Sequence, residues 1–182
     1  MVNISDYFQN LHFEIKALLL DWGNTVMKVF PDETGPMASW KQVAAVEGIR
    51  QMLEILKNNY QIVLVSNAQD SDRTLVRKAL EQVQLSQFFH EVFTPHEINE
   101  RKPNPNFYLK ILKQINVEPE NAIMVGDNYE GDIIAAKQVG LWTVWYNPDH
   151  KQLHNETFPY HDVELNRMLE LHLVIQKNMK FS

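Results

Sequence analysis

Short apolar runs that stop at a polar residue are the feature that most constrains the fold of this 182-residue chain. Three are clear: residues 15–20 stop at Asp21, residues 62–65 stop at Ser66, and residues 122–125 are followed by Gly126 and Asp127. Continuous runs of this length are typical of strands that are buried on both faces of a parallel sheet.

Segments in which apolar residues recur at helical spacing separate these strands. They predict helices over 41–58, 71–84 (with Ser71 as its cap), 105–115, 133–139 and 164–177, and further strands over 91–93 and 141–145. Strands that alternate with helices predict one parallel sheet with right-handed crossovers. Since ligands bind beyond the carboxyl ends of such strands, Asp21, Ser66 and Asp127 are expected to face one another.

The composition excludes several classes of partner and site. With 17 Lys and Arg against 23 Asp and Glu, the formal net charge is −6, which argues against gripping nucleic acid or an anionic membrane by bulk electrostatics. The sequence has no membrane-length apolar run and no secretory signal pattern. The absence of cysteine excludes a thiolate metal site and a cysteine nucleophile. We therefore expect a cytoplasmic protein without membrane contact.

Four short segments at the predicted element ends follow one order along the chain. They are Asp21 to Thr25, Ser66 with Asn67, Arg101 to Pro105 around Lys102, and Gly126 to Asp132. The set resembles the four motifs of the haloacid dehalogenase superfamily of phosphatases and related hydrolases, over residues 15–177. The resemblance implies an α/β, three-layer Rossmann-like fold with a mostly parallel sheet.

The resemblance also implies a magnesium site. Mg²⁺ prefers oxygen ligands, and the expected ligands are carboxylate oxygens of Asp21 and Asp127 and the backbone carbonyl of Gly23. Asp132 is expected one helical turn further on, where it would complete the metal site through a bound water or orient a ligand.

The remaining motif residues are expected around a phosphoryl group. A carboxylate such as Asp21 can attack phosphorus and form an aspartyl-phosphate, which divides hydrolysis into two easier steps. Lys102 would supply a positive charge to Asp21 and to the phosphoryl oxygens. Ser66 and Asn67 would donate hydrogen bonds to the same oxygens.

One position departs from the phosphatase pattern. Phosphatases of this superfamily usually carry a second Asp two residues after the nucleophile, as general acid and base, and this chain has Gly23 there. Three explanations stay open: the substrate has a good leaving group, another side chain substitutes (Asp32, Glu33 or His96), or the protein binds a phosphorylated ligand without turnover. The first reading is an Mg²⁺-dependent phosphatase, and the alternative is a catalytically weak phospho-ligand binding or scaffold protein.

The spacing of the motifs leaves no room for the cap domains that select substrates in this superfamily. We expect residues 1–182 to form a single domain, in which residues 26–40 are a flap in place of a cap and residues 1–14 are a helical extension. An open site admits a phosphorylated small molecule or an exposed phospho-group on a larger substrate. A neighbouring copy in a homo-oligomer could also close it.

Overall fold

A computed structural model describes residues 14–153 and 159–177 of the chain. Six strands form one sheet in the order β3-β2-β1-β4-β5-β6, and every neighbouring pair is parallel. The strands are β1 Ala17–Asp21, β2 Gln61–Val65, β3 Glu91–Phe93, β4 Ala122–Gly126, β5 Trp142–Tyr146 and β6 Val163–Leu165. The predicted α/β fold with a parallel sheet is therefore confirmed.

Helices cover both faces of this sheet and give the fold its three layers. They are α1 Ile49–Leu56, α2 Arg73–Gln82, α3 Pro95–Ile98, α4 Pro105–Ile115, α5 Ala135–Gln138 and α6 Leu171–Lys177. Successive residues of a strand point to opposite faces, so Leu18 and Leu20 of β1 pack in the core that contains α1, α2 and α6. Leu19 lies in the second core, with α4 and α5. Burial on both faces explains the continuous apolar run.

The segment before α1 differs from its prediction as part of a long helix. The helix begins at Ile49, after Gly48 with φ 81°, and residues 41–48 are not helical. The Val46 N–H donates to the Val26 carbonyl at 2.9 Å, and the Lys28 N–H donates to the Ala44 carbonyl at 2.9 Å. Through these hydrogen bonds, residues 44–46 lie beside residues 26–28, which follow β1. The apolar spacing matched a helix, but the backbone hydrogen bonds are non-local.

Other predicted elements agree in kind and differ at their ends. The segment 164–177 is predicted as one helix, but its first residues belong to β6, which pairs with β5 at the edge of the sheet. The α-helix in this segment is α6. Asp72, and not Ser71, caps α2, since its side chain accepts from the Leu75 N–H at 2.9 Å. The predicted extension 1–14 falls almost entirely outside the described residues. None of the helices within the described ranges is both apolar and long enough to cross a membrane.

Candidate active site

Adjacent parallel strands bring three carboxylates together at one edge of the sheet. Asp21 ends β1, Asp127 follows β4, and the two strands are paired in register. Asp132 reaches the same place from the turn after β4. Each of these side chains offers one oxygen, and the three oxygens lie within 4.8 Å of one another. Three of the predicted metal ligands are thus brought together.

A π-helical turn, Tyr129–Ile134, follows β4 and places the Asp132 side chain beside Asp21 and Asp127. Asn128 caps the turn by accepting from the Gly131 N–H at 2.9 Å, and the Asn128 N–H in turn donates to Oδ2 of Asp132 at 3.1 Å. Asp132 is completely buried. A β-carbon at Gly126 would lie 2.2 Å from that same Oδ2, so the close approach of Asp132 to β4 requires glycine at this position.

Lys102 joins the carboxylates from the opposite side. Its ammonium donates to Oδ1 of Asp21 and, at 2.6 Å, to Oδ1 of Asp132. The loop that carries Lys102 is fixed by Asn67, whose side-chain oxygen accepts from the Lys102 N–H and whose amide nitrogen donates to the Lys102 carbonyl, both at 2.8 Å. The Asn67 side chain is therefore occupied in holding Lys102. The predicted hydrogen bond from Asn67 to a phosphoryl oxygen would therefore come from its main-chain N–H, and it stays a prediction.

Ser66 stands next to the carboxylates at the end of β2. Val65 is the register partner of Asp21, so Ser66 is the next residue beyond the pair, and it is buried. Its Oγ accepts from the Ala68 N–H at 3.0 Å. The hydroxyl hydrogen is left for a further acceptor, which suits the predicted contact with a phosphoryl oxygen.

The cluster holds three carboxylates and one ammonium group, so a bound cation would offset its excess negative charge. Burial raises the pKa of Asp132 to about 7, and the charge of Asp21 adds to this effect although Lys102 opposes it. Burial and Asp21 also raise the pKa of Asp127. For Lys102, burial favours the neutral amine, but Asp132 and Asp21 outweigh it and raise its pKa above the ordinary value. The Lys102 ammonium thus pairs with Asp21 and Asp132, and Asp127 adds a third carboxylate that is repelled by Asp21.

The donor set around these carboxylates fits Mg²⁺, which takes oxygen ligands only. The neighbouring backbone hydrogen bonds use the Trp22 carbonyl and the Asn24 N–H. In the described ranges, the Gly23 carbonyl itself accepts no hydrogen bond, so it can bind a metal ion. The Trp145 indole N–H donates to the Asp127 carbonyl at 3.3 Å and steadies the loop. Asp132 already binds Lys102 and Asn128 through its two oxygens, which suits a role beside a metal-bound water.

The three side chains considered as substitute acids do not meet at this cluster. Glu33 accepts from the N–H groups of Lys41 and Gln42, both at 3.0 Å, and so holds its own loop together. Asp32 is exposed in the adjacent turn. His96 contacts the Gln69 carbonyl at 2.9 Å and lines a separate open cavity of about 630 Å³.

Sequence reasoning missed two buried residues that support the site. Tyr108 lies beneath it on α4, where its hydroxyl donates to the Gly131 carbonyl at 2.8 Å. Gly126 was noted only as part of a motif. No spacing in the sequence identifies Tyr108, whereas a glycine directly before the Asp that follows a strand is a signal of close backbone approach.

Comparisons with known proteins point to one family and one fold. The sequence model of the family described as haloacid dehalogenase-like hydrolase matches residues 5–146. A glyceraldehyde 3-phosphate phosphatase of Pyrococcus furiosus is 31% identical over 72% of this chain and 55% of its own length. The pyrimidine 5'-nucleotidase PynA of Streptococcus pneumoniae is 29% identical over 68% of this chain and 52% of its own. The chain thus spans about half the length of these curated relatives.

A solved structure of an uncharacterized protein from Listeria monocytogenes serotype 4b shares the fold over nearly all of both chains. It superposes with a TM-score of 0.80 and 19% identity, covering 91% of this chain and 99% of its own.

Proposed function

Because this chain belongs to the haloacid dehalogenase-like hydrolases, we propose that it is an Mg²⁺-dependent phosphatase with Asp21 as the nucleophile. The observation that carries the proposal is the buried ammonium of Lys102 between Asp21 and Asp132, with Asp127 beside them. An unpaired group of carboxylates would be a poor core element. The same group around a cation and a phosphoryl group is chemically complementary.

The reaction proceeds in two displacements at phosphorus. A carboxylate oxygen of Asp21 bonds to phosphorus as the bond to the leaving oxygen breaks, which gives an aspartyl-phosphate and the alcohol after that oxygen gains a proton. Water then attacks the phosphorus, and inorganic phosphate leaves with Asp21 restored. Lys102 holds Asp21 in position and offsets negative charge on the phosphoryl oxygens, to which Ser66 donates a hydrogen bond.

Asp21, Asp127 and the Gly23 carbonyl would hold the metal ion, and Asp132 would act beside it. When bound, Mg²⁺ supplies positive charge that lets the two anions, carboxylate and phosphate, approach each other. The chain's own contribution is the fixed placement of these oxygens by the ends of β1 and β4.

The glycine at position 23 limits which substrates react well. General acid catalysis is typically worth about 10²–10⁴-fold, so esters with good leaving groups, such as sugar-1-phosphates, acyl phosphates or aryl phosphates, are favoured. The relatives' names indicate small phosphorylated molecules as substrates, and an exposed phospho-group on a larger molecule is the other candidate. A cytoplasmic location stays a prediction, as does a homo-oligomer.

We also propose that this chain has no cap domain. Between β1 and α1, the structure has a single short helix, a 3₁₀ turn at Met37–Ser39. The flap predicted at 26–40 is held to residues 44–46 by the backbone pairs described above. This supports an open site.

A phospho-ligand binding protein of the same fold is the second candidate, and Gly23 is the observation that favours it. A panel of phosphate esters, assayed with Mg²⁺ and with EDTA, separates the two. We expect Mg²⁺-dependent phosphate release that Asp21→Asn abolishes. Binding of the esters without release by the wild-type protein would establish the second function, and activity retained in Asp21→Asn would overturn the role of Asp21.

A further inference from the structure

A cleft of about 380 Å³ opens beside Asp127. It lies between the chain that follows β1 and the loop that follows β5. Its walls include Lys28 and Glu47 on one side and Tyr146, Asp149 and Lys151 on the other. Because the cleft begins at a proposed metal ligand, the part of a substrate beyond its phosphate can enter it.

Lys151 is held in this cleft by the same device that holds Lys102. The side chain of Asn147 accepts from the Lys151 N–H at 2.8 Å and donates to the Lys151 carbonyl at 3.1 Å. Asn147 also donates to Oε1 of Glu164 on β6 at 2.7 Å, and only 1% of it is exposed. The Lys151 backbone is therefore fixed although the residue lies in a surface loop.

The two lysines of the cleft have no carboxylate partner in the part of the chain that the structure describes. Among the described residues, no ion pair within 4.0 Å involves Lys28 or Lys151, and Glu47 and Asp149 form none either. The cleft walls therefore carry two ammonium groups that can each contact an anionic group of a ligand, next to the carboxylates of Glu47 and Asp149.

We propose that this cleft binds the leaving-group part of a small phosphate ester that carries a second anionic group, and that Lys151, with Lys28 opposite, contacts that group. Glu47 and Asp149 are free to accept hydrogen bonds from hydroxyl groups of the same molecule. The inference rests on the proposed phosphatase function, since it assumes that the phosphate lies at Asp21. The proposed substrates are thus phosphate esters with a second anionic group, and the loops after β1 and β5 would select them in the absence of a cap.

The test compares two ligands that share a carbon skeleton, 3-phosphoglycerate and glycerol 3-phosphate. They differ in a carboxylate against a hydroxymethyl group, and their phosphate ester oxygens are alike. Binding is measured by calorimetry with Mg²⁺ on the Asp21→Asn protein, in which no turnover occurs. We expect 3-phosphoglycerate to bind roughly tenfold more tightly, since a hydrogen bond to a charged group commonly has this effect on affinity.

Removal of both ammonium groups should abolish the preference. In the Asp21→Asn protein, Lys151→Ala should reduce the ratio markedly, Lys28→Ala should reduce it in the same direction, and with both lysines removed the two ligands should bind equally. The control is Lys78→Ala, an exposed lysine on α2 outside the cleft, which should keep the full ratio. Equal binding by the Asp21→Asn protein, or a ratio that survives Lys151→Ala, would overturn the inference.

A separate hydrolysis assay on the wild-type protein keeps the two proposals distinct. If no ester of a panel that includes aryl phosphates is hydrolysed with Mg²⁺ but the binding ratio depends on Lys151, the cleft assignment holds and the phosphatase function fails. If esters are hydrolysed but the ratio is absent, the phosphatase function holds and the cleft assignment fails.

Discussion

The carboxylate of Asp132 occupies the space where residue 126 would carry a β-carbon, 2.2 Å from the ideal position of that atom. Any side chain at Gly126 must push Asp132 away from β4. Because Asp132 is completely buried and binds the ammonium of Lys102 at 2.6 Å, the displacement is transmitted to Lys102 and hence to Asp21. Gly126 is thus a positioning residue for the whole cluster.

Gly126→Ala should therefore lower kcat by about 10²-fold, as expected for misplacement of a catalytic group by about 1 Å. Steady-state kinetics with a reactive aryl phosphate measure it, with a thermal melt to check the fold. The comparison variant is Gly131→Ala, where a β-carbon would press only on Oδ1 of Asn128 at 3.3 Å, so its loss should be clearly smaller. Equal losses in the two variants would contradict the specific role of Gly126.

Asp127→Asn should stabilise the metal-free protein at alkaline pH. The pKa of Asp127 is raised above its ordinary 3.8, and that of Asp132 is raised to about 7. The folded state therefore keeps protons that the unfolded chain releases, so the free energy of unfolding falls as pH rises across this window. Removing one charge relieves the repulsion.

Melting curves in EDTA at pH 5 and pH 8 test this prediction. Wild type should lose Tm between the two values, and Asp127→Asn should lose less, while Mg²⁺ should raise Tm of the variant less than that of wild type. Asp32→Asn, a change of an exposed acid in the turn after β1, serves as control. A wild-type Tm that rises from pH 5 to pH 8 in EDTA would contradict the sign.

Asn67→Ala should reduce catalysis by freeing the Lys102 loop. The variant removes both side-chain hydrogen bonds to the Lys102 backbone, each 2.8 Å long, and leaves those backbone groups with no replacement partner in the protein. We expect kcat to fall about tenfold or more, since a lost buried hydrogen bond costs about 1–3 kcal/mol. Asn67→Asp keeps the acceptor for the Lys102 N–H but sets a carboxylate oxygen against the Lys102 carbonyl, so it should lose activity as well. An unchanged kcat in Asn67→Ala would show that Lys102 needs no clamp.

Restoring an acid at position 23 should speed the hydrolysis of alkyl phosphates. A β-carbon at Gly23 would lie 3.0 Å from Cγ2 of Val29, and Val29 is 45% exposed. Gly23→Asp is therefore best combined with Val29→Ala, which provides the space. The double variant should gain about 10²-fold on alkyl phosphates and little on aryl phosphates.

The control for this gain is Gly23→Asn combined with Val29→Ala, because Asn has nearly the shape of Asp but cannot act as a general acid. A gain that the Asn variant shares would come from packing and not from proton transfer. No gain in either would favour the binding function or a different acid.

The predicted elements succeed where local patterns decide the structure. The apolar runs of β1, β2 and β4 and the helix at Pro105–Ile115, with Asn104 as its cap and Pro105 at its start, follow from short-range chemistry. The meeting of Asp21, Asp127 and Asp132 could be predicted because residues after parallel strands meet at one edge of the sheet. The members of this cluster are consequently separated in sequence but adjacent in space.

Predictions failed where contacts between distant residues decide the structure. The stretch before Gly48 has apolar spacing compatible with a helix, but its N–H and C=O groups pair with the chain after β1. The cleft with Lys151 could not be foreseen, because its loop is fixed by Asn147 through Glu164, 17 residues further along. Polar clamps of this kind leave no periodic signal in a sequence.

The pairing of residues 26–28 with residues 44–46 closes a loop at its base. Once its two ends are joined, the length of chain between them matters little for stability, since each doubling of a flexible loop costs only about 0.6 kcal/mol. The stretch between Val29 and Val43 is therefore a point at which the core can accept inserted sequence without rearranging the strands below. An insertion there would leave Asp21, Asp127 and Asp132 in place, because the paired base lies between the insertion and the end of β1.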